Sequence, residues 1–180
     1  MHSNKKEQAL KMAKIASIEL LESTRPLHAI LETCKNLCKL AGISDQTTWI
    51  DLEINGYLVK YKTREDLLLN LPSYRKTSCK YYDLYGKLIS LRPSMVDVFG
   101  SSTVYHPIKE LENNDKVIVE AKYLEPFNKF MSEHGMDQAS KNLRIHEARI
   151  SKEEIQHVLR GVKKRIQELL DVIISLLETQ

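Results

Sequence analysis

A chain of 180 residues fits one domain and is long enough to bury a core. Its apolar share of 42% and charged share of 28% exclude a disordered chain, and six glycines with five prolines leave little material for long linkers. No run reaches the ~18 apolar residues of a membrane span, and Lys11, Lys14 and Glu19 interrupt any signal core behind the basic start MHSNKKEQALK. The expected location is therefore the cytoplasm, with no membrane partner. Three cysteines, an odd number, fit a reducing compartment and free thiols.

Residues 1–56 read as three helices. Asn4 and Glu7 form a capping-box pair ahead of the first, which runs to about Glu22 with Leu10, Ala13, Ala16 and Leu20 on one face and Ile15 and Ile18 widening it. Ser23 or Thr24 is expected to cap the second, with Pro26 in its first turn. Its stripe is Leu27, Ile30, Leu31, Cys34, Leu37, Cys38 and Ala41, and Gly42 stops it. Ser44 or Asp45 is expected to cap the third helix, which carries Trp49, Ile50 and Leu52 to Ile54. Asn55-Gly56 then supplies a residue that tolerates positive φ and closes the last turn.

Residues 57–150 read as a mixed part with short strands. The helical period disappears over 70–125, where LISL, SSTVYHP and the β-branched DKVIVEAKY suit strands. EPFNKFMSEHGM reads as a short helix, and LRIHEARI alternates imperfectly. The last part, 151–180, is a long amphipathic helix with Ser151 and Glu154 as its capping box. Its stripe is Ile155, Leu159, Val162, Ile166, Leu169, Leu170, Ile173 and Leu177, with Gly161 inside at a cost of about 1 kcal/mol. LLDVIISLL is apolar on more than one face, so it must be buried against the first three helices or against another subunit. The fold class expected is α+β: three N-terminal helices, a small central sheet or hairpins, and the long C-terminal helix.

The net charge of +3 is unevenly placed. Residues 60–92 hold eight basic against three acidic side chains, so the rest of the chain is slightly acidic. Six of the eight tyrosines fall between 57 and 85. Interleaved cations and aromatic rings serve nucleic acid, the cation meeting phosphate and the ring meeting base. They also serve a small sheet that buries its rings while lysines face solvent. On the first reading Lys76, Lys80 and Lys87 are the contacts.

Catalytic and metal patterns are sparse. Cys34 and Cys38 lie about 40° apart on a helix but His28 lies about 240° from Cys34, so the three cannot converge, and both thiols fall in the apolar stripe. No metal or cofactor is expected. The G-x-S-x-G elbow and the Walker phosphate loop are absent. So is the Arg-x4–6-His motif of HEPN-type ribonucleases, since seven residues separate Arg149 from His157 and two separate Arg25 from His28. One enzymatic pattern remains: Glu120 and Lys122 as E-x-K with Asp97 upstream, the residue types with which metal-dependent nucleases hold Mg²⁺ and position water.

The helix beginning KKEQALKMA, TWIDLEINGY, LPSYRK and the final IQHVLRGVKKRIQELLDVI together resemble the AbiTii domain of bacterial abortive-infection proteins. The matching positions are Trp49, Glu53, Asn55, Gly56, Tyr57, Pro72, Tyr74 and Arg75. The resemblance is clearest over 5–76 and 152–174, and residues 93–145 depart from it. It implies a single AbiTii-like domain over 1–180 and a part in defence against phage, with no catalytic constellation to transfer. Gly56 is expected to end the helix, with Tyr57, Tyr74 and Arg75 packing the following extended segment back onto it and Glu53 pairing with Arg75. The expected function is a non-enzymatic assembly or sensor domain that self-associates in part through residues 169–177, with Ile173 and Leu177 at the interface. Its expected partners are a second copy and a protein of the defence system or the phage. The alternative is nucleic-acid binding through 57–92, with a metal-dependent nuclease third.

Overall fold

Helical periodicity at both ends of the chain and β-branched runs between them produce an α+β architecture. The computed structural model describes residues 2–43, 45–91, 101–119, 124–135 and 142–179. Among these are seven helices: α1 His2–Glu22, α2 Leu27–Ala41, α3 Thr47–Asn55, α4 Arg64–Asn70, α5 Ile108–Glu112, α6 Glu125–His134 and α7 Lys152–Thr179. Six strands accompany them: β1 Lys76–Ser78, β2 Lys80–Tyr82, β3 Leu88–Ile89, β4 Ser101–Thr103, β5 Val117–Val119 and β6 Glu147–Ile150. No helix among the described residues is long and apolar enough to cross a membrane.

The contacts divide the chain into two compact units, each drawn from more than one stretch of sequence. The first comprises Met1–Lys62, Tyr105–Asn113 and Val158–Gln180; the second comprises Thr63–Val104 and Asn114–His157.

In the first unit α2 packs on α1 and α3 through Ile30, Leu31, Cys34, Leu37 and Cys38. α1 turns Ala9, Ala13, Ala16 and Leu20 inward. α7 lies antiparallel to α1, held by Lys14–Glu178 at 2.6 Å, by Gln167 Nε2 donating to Ser17 Oγ at 3.0 Å and by Lys163 Nζ donating to Ser23 Oγ at 2.9 Å. Val158, Val162, Ile166, Leu169, Leu170, Ile173 and Leu177 of α7 are buried here. Short α5 buries Ile108 and Leu111 against α2 and α3.

Three expectations for these helices are corrected. Ile15 and Ile18 are exposed, because the alanine face alone meets the neighbouring helices. α1 begins at His2, so Asn4 stands inside the helix and not at its cap. Neither α2 nor α3 takes a side-chain cap from the preceding residues: Pro26 and Gln46 occupy those positions, and Ser44 lies outside the described residues. Instead the Glu112 carboxylate, from the end of α5, accepts the amides of Leu27 at 2.5 Å and His28 at 3.2 Å, and His28 Nδ1 lies 2.6 Å from it. A side chain about 85 positions away thus does the work of a local cap, satisfying two of the amides every helix start leaves open.

The second unit carries two antiparallel sheets. β1 pairs with β4, and the larger sheet has the order β3-β2-β6-β5. Strand alternation sends Tyr81, Ala148, Ile150, Val117 and Val119 to one face, where Tyr81 stacks on Phe127 of α6 with centroids 5.6 Å apart. Asn128 pins α6 to the chain before β6 by donating to the Ile145 carbonyl at 2.9 Å and accepting the Ile145 amide at 2.7 Å. The extended segment expected after Gly56 is not found: Tyr57–Val59 of the first unit is a 3-10 turn, and the second unit begins with α4 and a 3-10 turn at Ser73–Arg75. Thr63 Oγ1 caps α4 by accepting the Asp66 amide at 3.1 Å. At α7 half of the expected capping box forms: Glu154 N donates to Ser151 Oγ at 3.4 Å. The Glu154 carboxylate instead accepts the Ser78 hydroxyl at 2.5 Å.

Candidate functional site

The stretch TWIDLEINGY builds a polar corner inside the first unit. Helical spacing puts Trp49, Ile50, Leu52 and Glu53 toward the interior, and Glu53 has no solvent exposure. Glu53 and Tyr57 are four residues apart, and the Tyr57 hydroxyl donates to Glu53 Oε1 at 2.7 Å. Asn55 Nδ2 donates to the Asp51 carbonyl at 2.9 Å, satisfying one of the acceptors a helix leaves open at its end. Trp49 donates its indole N–H to Gln46 Oε1 at 3.1 Å and lies under the Arg165 guanidinium at 4.3 Å, a cation–π contact.

Gly56 has φ 80° and ψ 157°. The positive φ was expected, but not this ψ, which belongs to a region that essentially only glycine enters. The reason is a close approach. A Cβ here would stand 3.0 Å from the Tyr105 carbonyl oxygen and 3.0 Å from Pro107 Cδ. The next residue, Tyr57, donates its amide to that same Tyr105 oxygen at 2.8 Å. Tyr105 in turn stacks on His106 with centroids 4.3 Å apart, and both are buried. The glycine therefore lets the end of α3 dock against residues 105–107.

The remaining motif positions belong to the second unit. Arg75 is fully buried, donates Nη1 to the Val104 carbonyl at 2.7 Å and accepts the Val104 amide on its own carbonyl at 2.8 Å. Tyr74 is half-buried beside it, and Pro72 accepts the Arg75 amide at 2.9 Å.

The basic-tyrosine segment divides by burial. Tyr57 and Tyr81 are interior, whereas Tyr85, in the β2–β3 turn, is 91% exposed. Lys76, Lys80 and Lys87 are exposed. The outward face of the larger sheet carries Lys80 beside Arg149, Tyr82 beside Glu147 and Leu88, and Ile118. Arg149 lies 4.1 Å over the Tyr82 ring and forks onto Glu147 at 2.6 and 3.0 Å, which holds the Glu147 carboxyl below its usual range. The sequence did not single out Arg149; only the strand register reveals it.

Other groups offer little reactivity. Burial, and then the neighbouring Cys38, push the Cys34 thiol up to about 12, and burial likewise raises Cys38. Both stay protonated and poor nucleophiles near neutrality. An open depression of about 630 Å³ between α2 and α3 is lined by Lys35, Cys38, Lys39, Gly42, Thr47 and Asp51. Lys35 and Asp51 pair across it at 2.6 Å. Among the described residues no group of three His, Cys, Asp or Glu side chains is placed to hold a metal ion. Asp97, Glu120 and Lys122 lie outside the described residues. Ile173 and Leu177 are buried inside the first unit of the single chain.

These features define an α+β protein organised on a helix corner whose glycine, carboxylate and phenol brace one another. A model of the AbiTii family matches residues 17–176, and the chain belongs to that family. Membership implies a role in abortive infection, the defence in which a phage-infected cell stops growing or dies. No curated protein and no solved structure matches the chain significantly.

Proposed function

We propose that this chain is a non-enzymatic assembly or sensor domain of abortive infection, acting in the cytoplasm by association with a second copy and with a protein of the defence system or the phage. The observation that carries this reading is a row of large apolar side chains left in water on α1. Met12, Ile15, Ile18 and Leu21 are 42–63% exposed, on a helix whose other face is already packed. Clustered apolar exposure of this kind marks interaction surfaces. Because Ile173 and Leu177 are interior, α1 replaces them as the surface offered to another molecule. Sedimentation over a wide concentration range tests it: mass should rise from 20.8 kDa toward twice that value. A mass fixed at the monomer throughout overturns self-association.

A second reading rests on the open sheet face, where Lys80 and the Tyr82–Arg149 stack provide cation and ring for single-stranded nucleic acid. Labelled RNA should then bind with an affinity that falls steeply with salt and is lost on replacing Lys80 and Lys87 by Glu. Absence of binding at low salt removes this reading.

A further inference from the structure

The sequence of α1 is self-complementary about its own midpoint. A two-fold axis between residues 16 and 17 would set a second α1 antiparallel to the first, so that each residue lies level with the one whose number makes up the same sum, and residues of the facing side touch. On the facing side Lys11 then meets Glu22 and Ile15 meets Ile18, since these pairs lie only about 20° and 60° apart around the helix. The first pair is opposite in charge and the second is apolar on both sides.

The geometry places these pairs where a second copy can reach them. At 100° and 1.5 Å per residue, Lys11 and Glu22 stand about 16 Å apart along the axis but only about 20° apart around it. Ile15 and Ile18 sit between them on the same outward face, with Met12 and Leu21 on its flanks. That face is opposite the inward row of Ala9, Ala13, Ala16 and Leu20. Lys11 and Glu22 are exposed. Lys14 and Glu19 already engage Glu178 and Arg25 of the same chain, so the charge code between copies rests on Lys11 and Glu22.

We propose that the chain forms a two-fold dimer through antiparallel pairing of its α1 helices, with Ile15 and Ile18 at the centre and Lys11–Glu22 bridges at both ends. The proposal rests on the self-association reading above and specifies its partner, surface and orientation. An isologous contact closes on itself and forms a dimer, not a filament. One helix pair is a small interface, so the dimer is reversible and is measured on the order of tens of micromolar.

The test is a charge swap followed by sedimentation. K11E and E22K each set like charges together twice per dimer and should each weaken association about tenfold. The K11E/E22K double variant restores both bridges and should return to within about threefold of wild type. A parallel pairing sets each position against itself, so the double variant would gain nothing there. An equimolar mixture of K11E and E22K should also dimerise better than either alone. Both residues changed are on the surface, and unchanged circular dichroism and melting temperature establish that the variants fold. A wild-type dimer indifferent to both single changes, or a double variant as weak as the singles, overturns this interface while leaving self-association standing. A wild type that is monomeric at every concentration overturns both.

Discussion

The Tyr57 hydroxyl donates to the Glu53 carboxylate across 2.7 Å, with one residue fully buried and the other 2% exposed. The two are one helical turn apart in sequence, yet Tyr57 lies beyond the helix, past a glycine that reverses the backbone. A carboxylate in that position is stabilised by its donors, not by water, so each donor matters. Tyr57→Phe should destabilise the fold by about 1–3 kcal/mol, the cost of leaving a buried acceptor short of a partner. Urea unfolding measures it, and an unchanged midpoint would show that the bond contributes nothing.

Two glycines separate backbone strain from crowding. Gly42 has φ 73° and ψ 23° with nothing near its missing side chain, whereas Gly56 meets backbone at 3.0 Å. Gly42→Ala should cost about 1–2 kcal/mol, the ordinary left-handed penalty. Gly56→Ala adds a clash against atoms that cannot rotate away and should cost roughly 3 kcal/mol or more. Equal losses in melting temperature would refute the close approach to residues 105–107.

Glu112 supplies an anion and two acceptors to the start of α2 from the far side of the sequence. Glu112→Ala should cost about 1–2 kcal/mol and should speed amide exchange first in residues 27–30. Uniform acceleration across the unit, with no preference for that turn, would show that the carboxylate is not acting as a cap.

The buried thiols give a pH dependence. Cys34 titrates at about 12 in the folded chain and near 8.5–9 when unfolded, so the unfolded chain loses its proton first. The contribution is intact below about pH 9 and diminishes as pH rises toward 12. Alkylating reagents should accordingly spare Cys34 and Cys38 in the native protein at pH 8 and modify both in urea. Rapid native modification would contradict their burial.

Periodicity made α2 and α7 legible, since each buries a face whose residues recur every three or four positions. It misread Ile15 and Ile18, because apolar character alone does not distinguish a side chain facing the core from one facing a partner. α4 spans one short stretch, and its signal was Thr63 three residues before Asp66 rather than any stripe. β1 and β2 hid in KTSCKYY, where alternation is too short to stand out from the lysines. The cap of α2 was beyond reach: nothing near Pro26 announces that Glu112 will supply it. Arg149 illustrates the same limit on the sheet, since Tyr82 is 67 positions away and only strand pairing sets them together.

The interleaving of the first unit bears on how the protein is made. α1 leaves the ribosome well before α7, one of the two helices it packs against. At roughly 5–20 residues per second, the gap of about 130 residues from Glu22 to Lys152 lasts on the order of ten seconds. Through that interval α1 has α2 beside it but lacks its contacts with α7. Its final fold waits for contacts between helices far apart in sequence, which close slowly. Nascent chains arrested before α7 should therefore lack a protease-resistant first unit, and resistance should appear as one late step when α7 emerges.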